Sequence, residues 1–232
     1  MNGREERSPR RPVDATRDRI LVDGRPLGED VTRLVLAFHK PPGLVTTRVD
    51  PGGRATVYES LRGLDRWVFP VGRLDRDTSG LLIFTNDTLL SQRLTDPESH
   101  VARTYHARVH GQPDAETLRA LREGVDLGAG VLTRPALVEV LGSPKATTRT
   151  DPFAPMAGET KEGSTWLEIV LTEGKNRQVR RMLARLGHDV LGLVRVRIGR
   201  LGLGDLAPGE WRALGPDEEE ALGSSPRTSA GA

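Results

Sequence analysis

The chain has 232 residues, a formal net charge of +2 and a hydrophobic fraction of 36%, which suffices for one large domain or two small lobes around a substantial core. The sequence contains no cysteine, which excludes disulfides, thiol catalysis and thiolate metal sites and favours a cytoplasmic protein. No stretch approaches the roughly 20 apolar residues of a membrane span, and the polar N-terminus lacks the apolar segment of a secretory signal.

Both ends of the chain are polar and aperiodic. Residues 1–17 are rich in arginine, and residues 215–232 are rich in acidic and small residues. Such segments bury too little apolar surface to offset the entropy of ordering. We therefore expect a disordered basic arm at 1–17, a disordered tail at 215–232, and a folded domain of two lobes at 18–214.

Between these ends, short alternating or β-branched runs bounded by Gly, Pro and Asp predict seven strands. They are residues 33–39, 67–71, 80–85, 103–109, 136–141, 165–172 and 193–198. Helices are predicted at 88–95, after Asn86-Asp87, and at 114–123, the latter capped by Asp114 and ended by Gly124. Because strands and helices do not alternate, the pattern favours an α+β fold with a mostly antiparallel sheet. Residues 142–164, rich in proline, glycine and threonine, are predicted to form a long loop.

The stretch VGRLDRDTSGLLIFTND, at 71–87, admits three interpretations. From Asp75 it begins like a calcium-binding EF-hand loop, but position twelve is Asn86, which cannot supply the bidentate carboxylate. Residues 81–85 also read as a buried strand rather than the second half of such a loop. A second interpretation is a turn that holds Asp75 beside two arginines, which keep a nucleophilic carboxylate ionised. From this stretch alone, a purely structural turn remains the third.

Positive charge is concentrated at residues 173–200, where one lysine and seven arginines against two acids give a net charge of +6. Such a patch suits phosphate groups. Within it, Asn176 is predicted to cap a helix that Gly187 ends. Lys175 lies in the loop just before the cap.

At about 100° per residue, one face of this helix is apolar and includes Val179. Arg177, Arg181 and Arg185 lie on the opposite face, where they can meet an RNA or DNA backbone. Arg180 lies at the boundary and can turn inward toward a buried anion. A solvated basic face on an ordinary amphipathic helix is the alternative.

Two shorter motifs carry further candidate residues. The segment HKPPG, at 39–43, ends a strand in a stiff turn and presents Lys40 as a cation. Tyr105 alternates with apolar residues, so it is predicted to face the core or the wall of a cleft. The histidines show no metal-ligand spacing, and no metal site is predicted.

Taken together and in this order, the motifs resemble the RsuA/Rlu family of ribosomal RNA pseudouridine synthases. The likeness spans about residues 33–213 and rests on four segments. They are KPPG at 40–43, GRLDRDTSGLL at 72–82, RTY at 103–105 and EGKNRQVRRM at 173–182. The lack of a complete N-terminal S4 RNA-binding domain and the long segment before Trp166 make the chain most similar to the E-type large-subunit enzymes.

The resemblance implies the pseudouridine synthase fold, an α+β fold with a mostly antiparallel bifurcated sheet, flanking helices and a central RNA-binding cleft. It implies an enzyme that isomerises a uridine in ribosomal RNA, with 23S rRNA expected, and that uses no cofactor or metal. Its expected partner is ribosomal RNA or a pre-ribosomal particle. We expect a cytoplasmic monomer with no membrane association and no obligate protein partner.

The resemblance also implies roles for single residues. Asp75 matches the catalytic nucleophile, Tyr105 the tyrosine that lines the uracil, and Arg180 the basic residue paired with the aspartate. Val179 matches an aliphatic residue beside the base, and Arg73 a residue that holds the flipped nucleotide or fills its place. The residues expected to contact RNA are Arg73, Val179, Lys40, Lys175, Arg177, Arg181 and Arg185.

Two positions depart from the family pattern. Arg103 stands where lysine is more common, which keeps the charge, and His39 stands where asparagine commonly precedes Lys-Pro. A protein of another class, a non-catalytic RNA-binding or ribosome-assembly module on the same fold, is the competing hypothesis. Such a module would not need Asp75, Tyr105 and Arg180 together, so their joint presence favours the enzyme.

Overall fold

The computed structural model describes residues 1–8, 11–14, 17–22, 25–26, 32–141 and 163–223. Most of the predicted loop at 142–164 lies outside the described residues. The chain divides into two compact units, Met1–Arg33 and Leu34–Ala232. Residues 18–33, which were predicted to open the main domain, therefore belong to the first unit.

The first unit contains a small antiparallel sheet of two strands, Leu21–Val22 (β1) and Arg25–Pro26 (β2). The side chain of Asn2 donates a hydrogen bond to Asp18, at 2.8 Å. The described part of the predicted arm, residues 1–17, contains no helix or strand. Its disorder stays a prediction.

The second unit is built on a sheet of nine strands. The strands are Val35–Lys40 (β3), Phe69–Val71 (β4), Ser79–Thr85 (β5), Arg103–His110 (β6), Leu137–Leu141 (β7), Ser164–Leu171 (β8), Val190–Ile198 (β9), Leu201–Gly202 (β10) and Trp211–Ala213 (β11). Their order is β11-β3-β5-β9-β6-β8-β7, with β4 on β5 and β10 on β9. Every pair is antiparallel except β5 with β9, so the predicted α+β fold with a mostly antiparallel sheet is confirmed.

All seven predicted strands form, with ends shifted by no more than three residues. The two that the sequence did not predict are β10 and β11, because two or three residues are too short to show a period. β5 is buried along almost its whole length, since both faces of the sheet are covered there. Its even-numbered residues pack into one core cluster and its odd-numbered residues into another.

The helices are Thr88–Thr95 (α1), Ala115–Glu123 (α2), Gln178–Arg185 (α3) and Pro216–Leu222 (α4). The local signals for α1 and α2 are confirmed: the side chain of Asp87 accepts hydrogen bonds from the first turn of α1, and that of Asp114 from the first turn of α2. Gly124 ends α2 at a φ of 115°. Among the described residues, no helix is both long and apolar enough to cross a bilayer.

The prediction of a disordered tail is wrong for Pro216–Leu222, which forms α4. A proline opens the helix and acidic residues fill its first turn, which are the residues that favour a helix N-terminus. Leu222 is fully buried in the core cluster beneath β9, and this packing stabilises a helix too short to form alone.

Candidate active site

Asp75 lies in the turn that joins β4 to β5. The backbone N–H of Thr78 donates to the carbonyl of Asp75 at 3.1 Å and closes the turn. The hydroxyl of Thr46 donates to the carbonyl of Leu74 at 2.8 Å, which ties the turn to the segment after β3. The backbone that carries the carboxylate of Asp75 is therefore fixed by hydrogen bonds to the carbonyls of Leu74 and Asp75.

The sequence predicted that the turn presents Lys40 as a cation. In the structure its side chain is fully buried, so its charge does not face solvent. Its Nζ donates to the carbonyls of Pro41, Arg76 and Thr78 at 3.0, 3.2 and 2.8 Å. Burial lowers the pKa of Lys40 to about 8, although the negative charges of Asp75 and Asp77 act to raise it. The predicted role as an RNA contact is corrected: Lys40 holds the turn that carries Asp75.

His39 is also buried. One ring nitrogen lies 2.7 Å from the carbonyl of Leu206, and the other lies 3.1 Å from the hydroxyl of Ser79. Burial lowers the pKa of His39, which favours the neutral ring. The histidine thus fixes the first residue of β5 to the end of β3.

The turn opens on a cleft of about 280 Å³. Asp75, Tyr105 and Val179 all line it, so three side chains from distant parts of the sequence meet there. The predicted contacts Arg73, Lys175 and Arg177 lie in the same lining. Arg180, Lys40, Arg181 and Arg185 do not.

The direct ion pair of Asp75 is with Arg177, at 3.6 Å between the guanidinium and the carboxylate. Arg180, which was expected to form this pair, donates instead to the carbonyls of Asp77 and Val190 at 2.9 and 3.1 Å. Burial and the charge of Arg177 lower the pKa of Arg180, while Asp75 and Asp77 raise it. Arg180 therefore lies within electrostatic range of Asp75 without bonding to it.

The start of α3 explains this exchange of partners. Asn176 was predicted to cap the helix, but the cap residue is Arg177, in the left-handed conformation with φ 48°. The row of arginines at i, i+4 and i+8 assumed that Arg177 is helical. Because it is not, its side chain leaves that row and reaches Asp75. The predicted end of the helix before Gly187 is confirmed.

The other two arginines of the predicted row hold a neighbouring loop. Arg181 donates to the carbonyl of Leu127 at 3.0 Å, and Arg185 to that of Asp126 at 3.2 Å. Each bond uses one of the five N–H groups of its guanidinium. Both arginines thus anchor α3 to the loop after α2, and their role as RNA contacts stays a prediction.

The loop before α3 is organised around Glu173, which the sequence analysis did not single out. Its carboxylate accepts hydrogen bonds from the backbone N–H of Arg134 at 2.9 Å, from Gln178 at 2.6 Å and from the ammonium of Lys175. Burial opposes the ionisation of Glu173, but these donors outweigh it and lower its pKa. Lys175 is therefore paired with an acid at the edge of the cleft.

Tyr105 and Val179 form the apolar wall. Tyr105 is half-buried on β6 and packs against two core clusters. Val179 is buried on the first turn of α3. Arg73 is exposed at the cleft and makes no hydrogen bond or ion pair to any described residue, which leaves its charge available to a ligand.

Two arginines of the cleft were missed as site residues. Arg103 donates to the carbonyls of Leu94 and Val101 at 2.7 and 3.2 Å. Arg195 is buried on β9 opposite Tyr105 on β6. The signal was present in the sequence, since Arg195 is a charged residue inside a strand whose neighbours are apolar.

Within the described ranges, no group of three or more His, Asp or Glu side chains could hold a metal ion. The carboxylates that line the cleft are Asp75 and Glu173. Both oxygens of Glu173 accept hydrogen bonds from protein donors, whereas Asp75 has one ion pair at more than hydrogen-bond length. Asp75 is thus the cleft carboxylate open to a ligand.

The sequence model of the family described as RNA pseudouridylate synthase matches residues 34–185, beginning where the second compact unit begins. The chain belongs to this family. The resemblance seen in the motifs is confirmed, and with it an isomerase that acts on RNA. The fold agrees with a crystal structure of a pseudouridylate synthase, with a TM-score of 0.71, 29% identity, and coverage of 95% of this chain and 86% of the other.

Curated relatives narrow the likeness within the RNA pseudouridylate synthase family. The chain is 42% identical over 182 residues to the ribosomal large subunit pseudouridine synthase E of Vibrio parahaemolyticus, covering 78% of this chain and 74% of the relative. It is 41% identical over 179 residues to the enzyme of the same name in Xanthomonas campestris, covering 77% and 94%. The likeness to synthase B of Bacillus subtilis is 34% over 205 residues, covering 88% and 77%.

Proposed function

We propose that this pseudouridine synthase isomerises a specific uridine of 23S ribosomal RNA, with Asp75 as the nucleophile. The observation that carries the proposal is the open carboxylate of Asp75 at a cleft shared with Tyr105 and Val179. The large-subunit target is supported by the relatives named as large-subunit enzymes. The proposal extends to a monomer that works in the cytoplasm on ribosomal RNA or a pre-ribosomal particle.

A uridine in a stem must leave the base stack before its glycosidic bond is accessible, at a cost of a few kcal/mol. Arg73, exposed and without a partner among the described residues, is suited to a phosphate of the displaced strand. Val179 and the ring of Tyr105 offer the apolar and aromatic surface that an extruded base needs.

The isomerisation breaks the bond from the ribose C1′ to N1 of uracil and forms one from C1′ to C5, while C5 loses a proton and N1 gains one. The negative charge of Asp75, close to Arg177 and Arg180, suits a group that acts at the electron-poor sugar while the bond breaks. The Tyr105 hydroxyl is suited to the proton removal at C5. Neither step requires a cofactor.

The test is tritium release from C5-labelled uridine in 23S rRNA, presented both as naked transcript and as pre-ribosomal particles. We expect release by the wild type and loss of release by Asp75→Asn. The matched control is Asp77→Asn, because Asp77 lies two residues away with its side chain outside the cleft lining. Absence of release by the wild type from both substrates, with release from 16S rRNA instead, would refute the 23S assignment. An Asp75→Asn enzyme as active as Asp77→Asn would refute the nucleophile.

A further inference from the structure

Arg195 lies at the junction of three strands on the floor of the cleft. It is opposite Tyr105 of β6 and opposite Gly80 of β5, where β5 and β9 run parallel. Its side chain lines the cleft although the residue is only 3% exposed. Its Nε donates to the carbonyl of Leu81 at 2.8 Å, which fixes the direction of the guanidinium.

The positive charge of this group is unbalanced. Among the described residues, Arg195 forms no ion pair, and its buried Nη2 has no hydrogen-bond partner. A buried donor without an acceptor costs about 1–3 kcal/mol, and more when the donor is charged. Each unsatisfied buried polar group calls for an explanation, and an acceptor supplied by a ligand would account for the unpaired nitrogen of a residue that lines the cleft.

The neighbours of Arg195 increase the positive charge at this point. Arg103 lies close enough that the charge of Arg195 lowers its pKa, in addition to the larger effect of burial, while Tyr105 raises it. Arg103, Arg195 and Tyr105 all line the cleft. A ligand atom that binds here is therefore expected to carry partial or full negative charge.

A second buried polar atom without a partner belongs to Thr78, which also lines the cleft. The Oγ1 of Thr78 has no hydrogen-bond partner among the described residues, and Thr78 is 2% exposed. Thr78 directly precedes Ser79, which pairs with Val194 on β9, so it is held next to the strand that carries Arg195. A hydroxyl can donate or accept, so it complements a guanidinium that only donates.

We propose that Arg195 and Thr78 read the edge of the target uracil, the guanidinium of Arg195 donating to a carbonyl oxygen and the hydroxyl of Thr78 accepting from N3–H. The inference rests on the proposed function and deepens it. Uracil offers this alternation of acceptor and donor, whereas cytosine lacks the N3–H and carries an amino group at C4. A site that hydrogen-bonds one pattern rejects the other because its buried polar groups stay unpaired.

The same contact also assists the reaction. When the C1′–N1 bond breaks, its electron pair stays with the ring and spreads onto the two carbonyl oxygens, while the positive charge that develops on the sugar faces Asp75. A guanidinium already aimed at a carbonyl stabilises that charge without reorganisation. Arg195 is thus a catalytic residue for bond cleavage as well as a reader of the base.

The experiment compares two short RNAs that span the uridine mapped by the tritium assay. One carries the uridine, and the other carries an abasic site in its place. Fluorescence anisotropy gives the Kd of each RNA for the wild type, Arg195→Met, Arg195→Lys and Thr78→Val. The control is Arg119→Met, the same chemical change at an exposed position of α2 outside the cleft. Thermal unfolding of every variant accompanies the binding data.

We expect Arg195→Met to bind the uridine RNA about 10- to 100-fold more weakly than wild type, as for a lost charged hydrogen bond, and the abasic RNA unchanged. We expect kcat to fall further, by about 10²–10³-fold, because the charge on the base grows in the transition state. Arg195→Lys keeps the positive charge, so we expect its Kd for the uridine RNA to change less than its kcat. Thr78→Val should weaken only the uridine RNA.

Equal weakening of both RNAs by Arg195→Met would place the contact on a phosphate and overturn the proposal. Unchanged discrimination between the RNAs in both Arg195→Lys and Thr78→Val would assign these residues to structure alone and also overturn it. If Arg195→Met fails to fold, those two variants decide the matter. If the wild type modifies no uridine, the proposed function fails and this inference fails with it. If uridine is modified but discrimination is unaffected, only this inference fails.

Discussion

Gly80 is the position where the structure makes the sharpest prediction. It lies at the parallel junction of β5 and β9 with a φ of 109°, and a Cβ added to it would lie 2.3 Å from the carbonyl oxygen and 2.6 Å from the nitrogen of Arg195. Both are backbone atoms, so no side-chain rotation relieves the contact. Gly80→Ala therefore requires β5 and β9 to separate by about 1 Å to reach ordinary contact.

Two costs add in this variant. A non-glycine residue at this φ costs about 1–3 kcal/mol, and forcing the strands apart costs about 1–3 kcal/mol more, as for overpacking elsewhere. A total of about 2–6 kcal/mol corresponds to a fall in Tm of roughly 5–20 °C for a chain of this size. The matched control is Gly63→Ala, because Gly63 has a φ of 93° but open space around its Cβ position, so it bears only the first cost.

The assay is urea and thermal unfolding of the two variants, followed by tritium release at a temperature where both are folded. We expect Gly80→Ala to be less stable than Gly63→Ala and to lose turnover, because the junction positions both Arg195 and the turn before Gly80. Equal Tm values for the two variants would refute the close approach of β5 and β9. Normal turnover in a folded Gly80→Ala would refute its role in shaping the site.

The remaining predictions concern charged groups. Burial lowers the pKa of Lys40 to about 8 from its ordinary value of 10.5, so the unfolded chain binds more protons than the folded chain between these pH values. The free energy of unfolding, measured by urea titration, should therefore rise with pH in this range by up to about 3 kcal/mol in the wild type but not in Lys40→Met. Arg177→Met should leave stability within about 1 kcal/mol, because its pair with Asp75 is partly exposed, and lower kcat/KM. Arg180→Met should lower Tm clearly, because it leaves two carbonyls without their donor. The pKa of Glu173 is lowered, so the stability advantage of wild type over Glu173→Gln should be present above about pH 4.3 and vanish as pH falls through the lower folded pKa.

Local sequence signals determined much of the secondary structure. Asp87, Asp114 and Gly124 act within a few residues of themselves, so their roles at the ends of α1 and α2 were readable directly. The apolar run at 81–85 predicted a buried strand, which is β5. The order of the motifs was enough to recognise the family, because a register of several short segments is far more specific than any one of them.

The partners of charged side chains were decided only by the tertiary structure. Lys40 could not be assigned from its own neighbourhood, since its carbonyl partners Arg76 and Thr78 lie far along the chain and come close only when β3 pairs with β5. The exchange of Arg180 for Arg177 beside Asp75 depends on one left-handed residue at the start of α3, which the helical pattern did not indicate.

The sequence by itself determined the fold class, the family and the carboxylate that serves as candidate nucleophile, because those depend on local pattern and on the order of motifs. Only the tertiary structure decided that Lys40 supports the turn, and that Arg195 lines the cleft with an Nη2 that has no partner among the described residues. The reason is physical. A charge is buried or exposed, paired or free, according to which strands pair across the sheet, and the parallel junction of β5 and β9 joins segments that no local pattern connects.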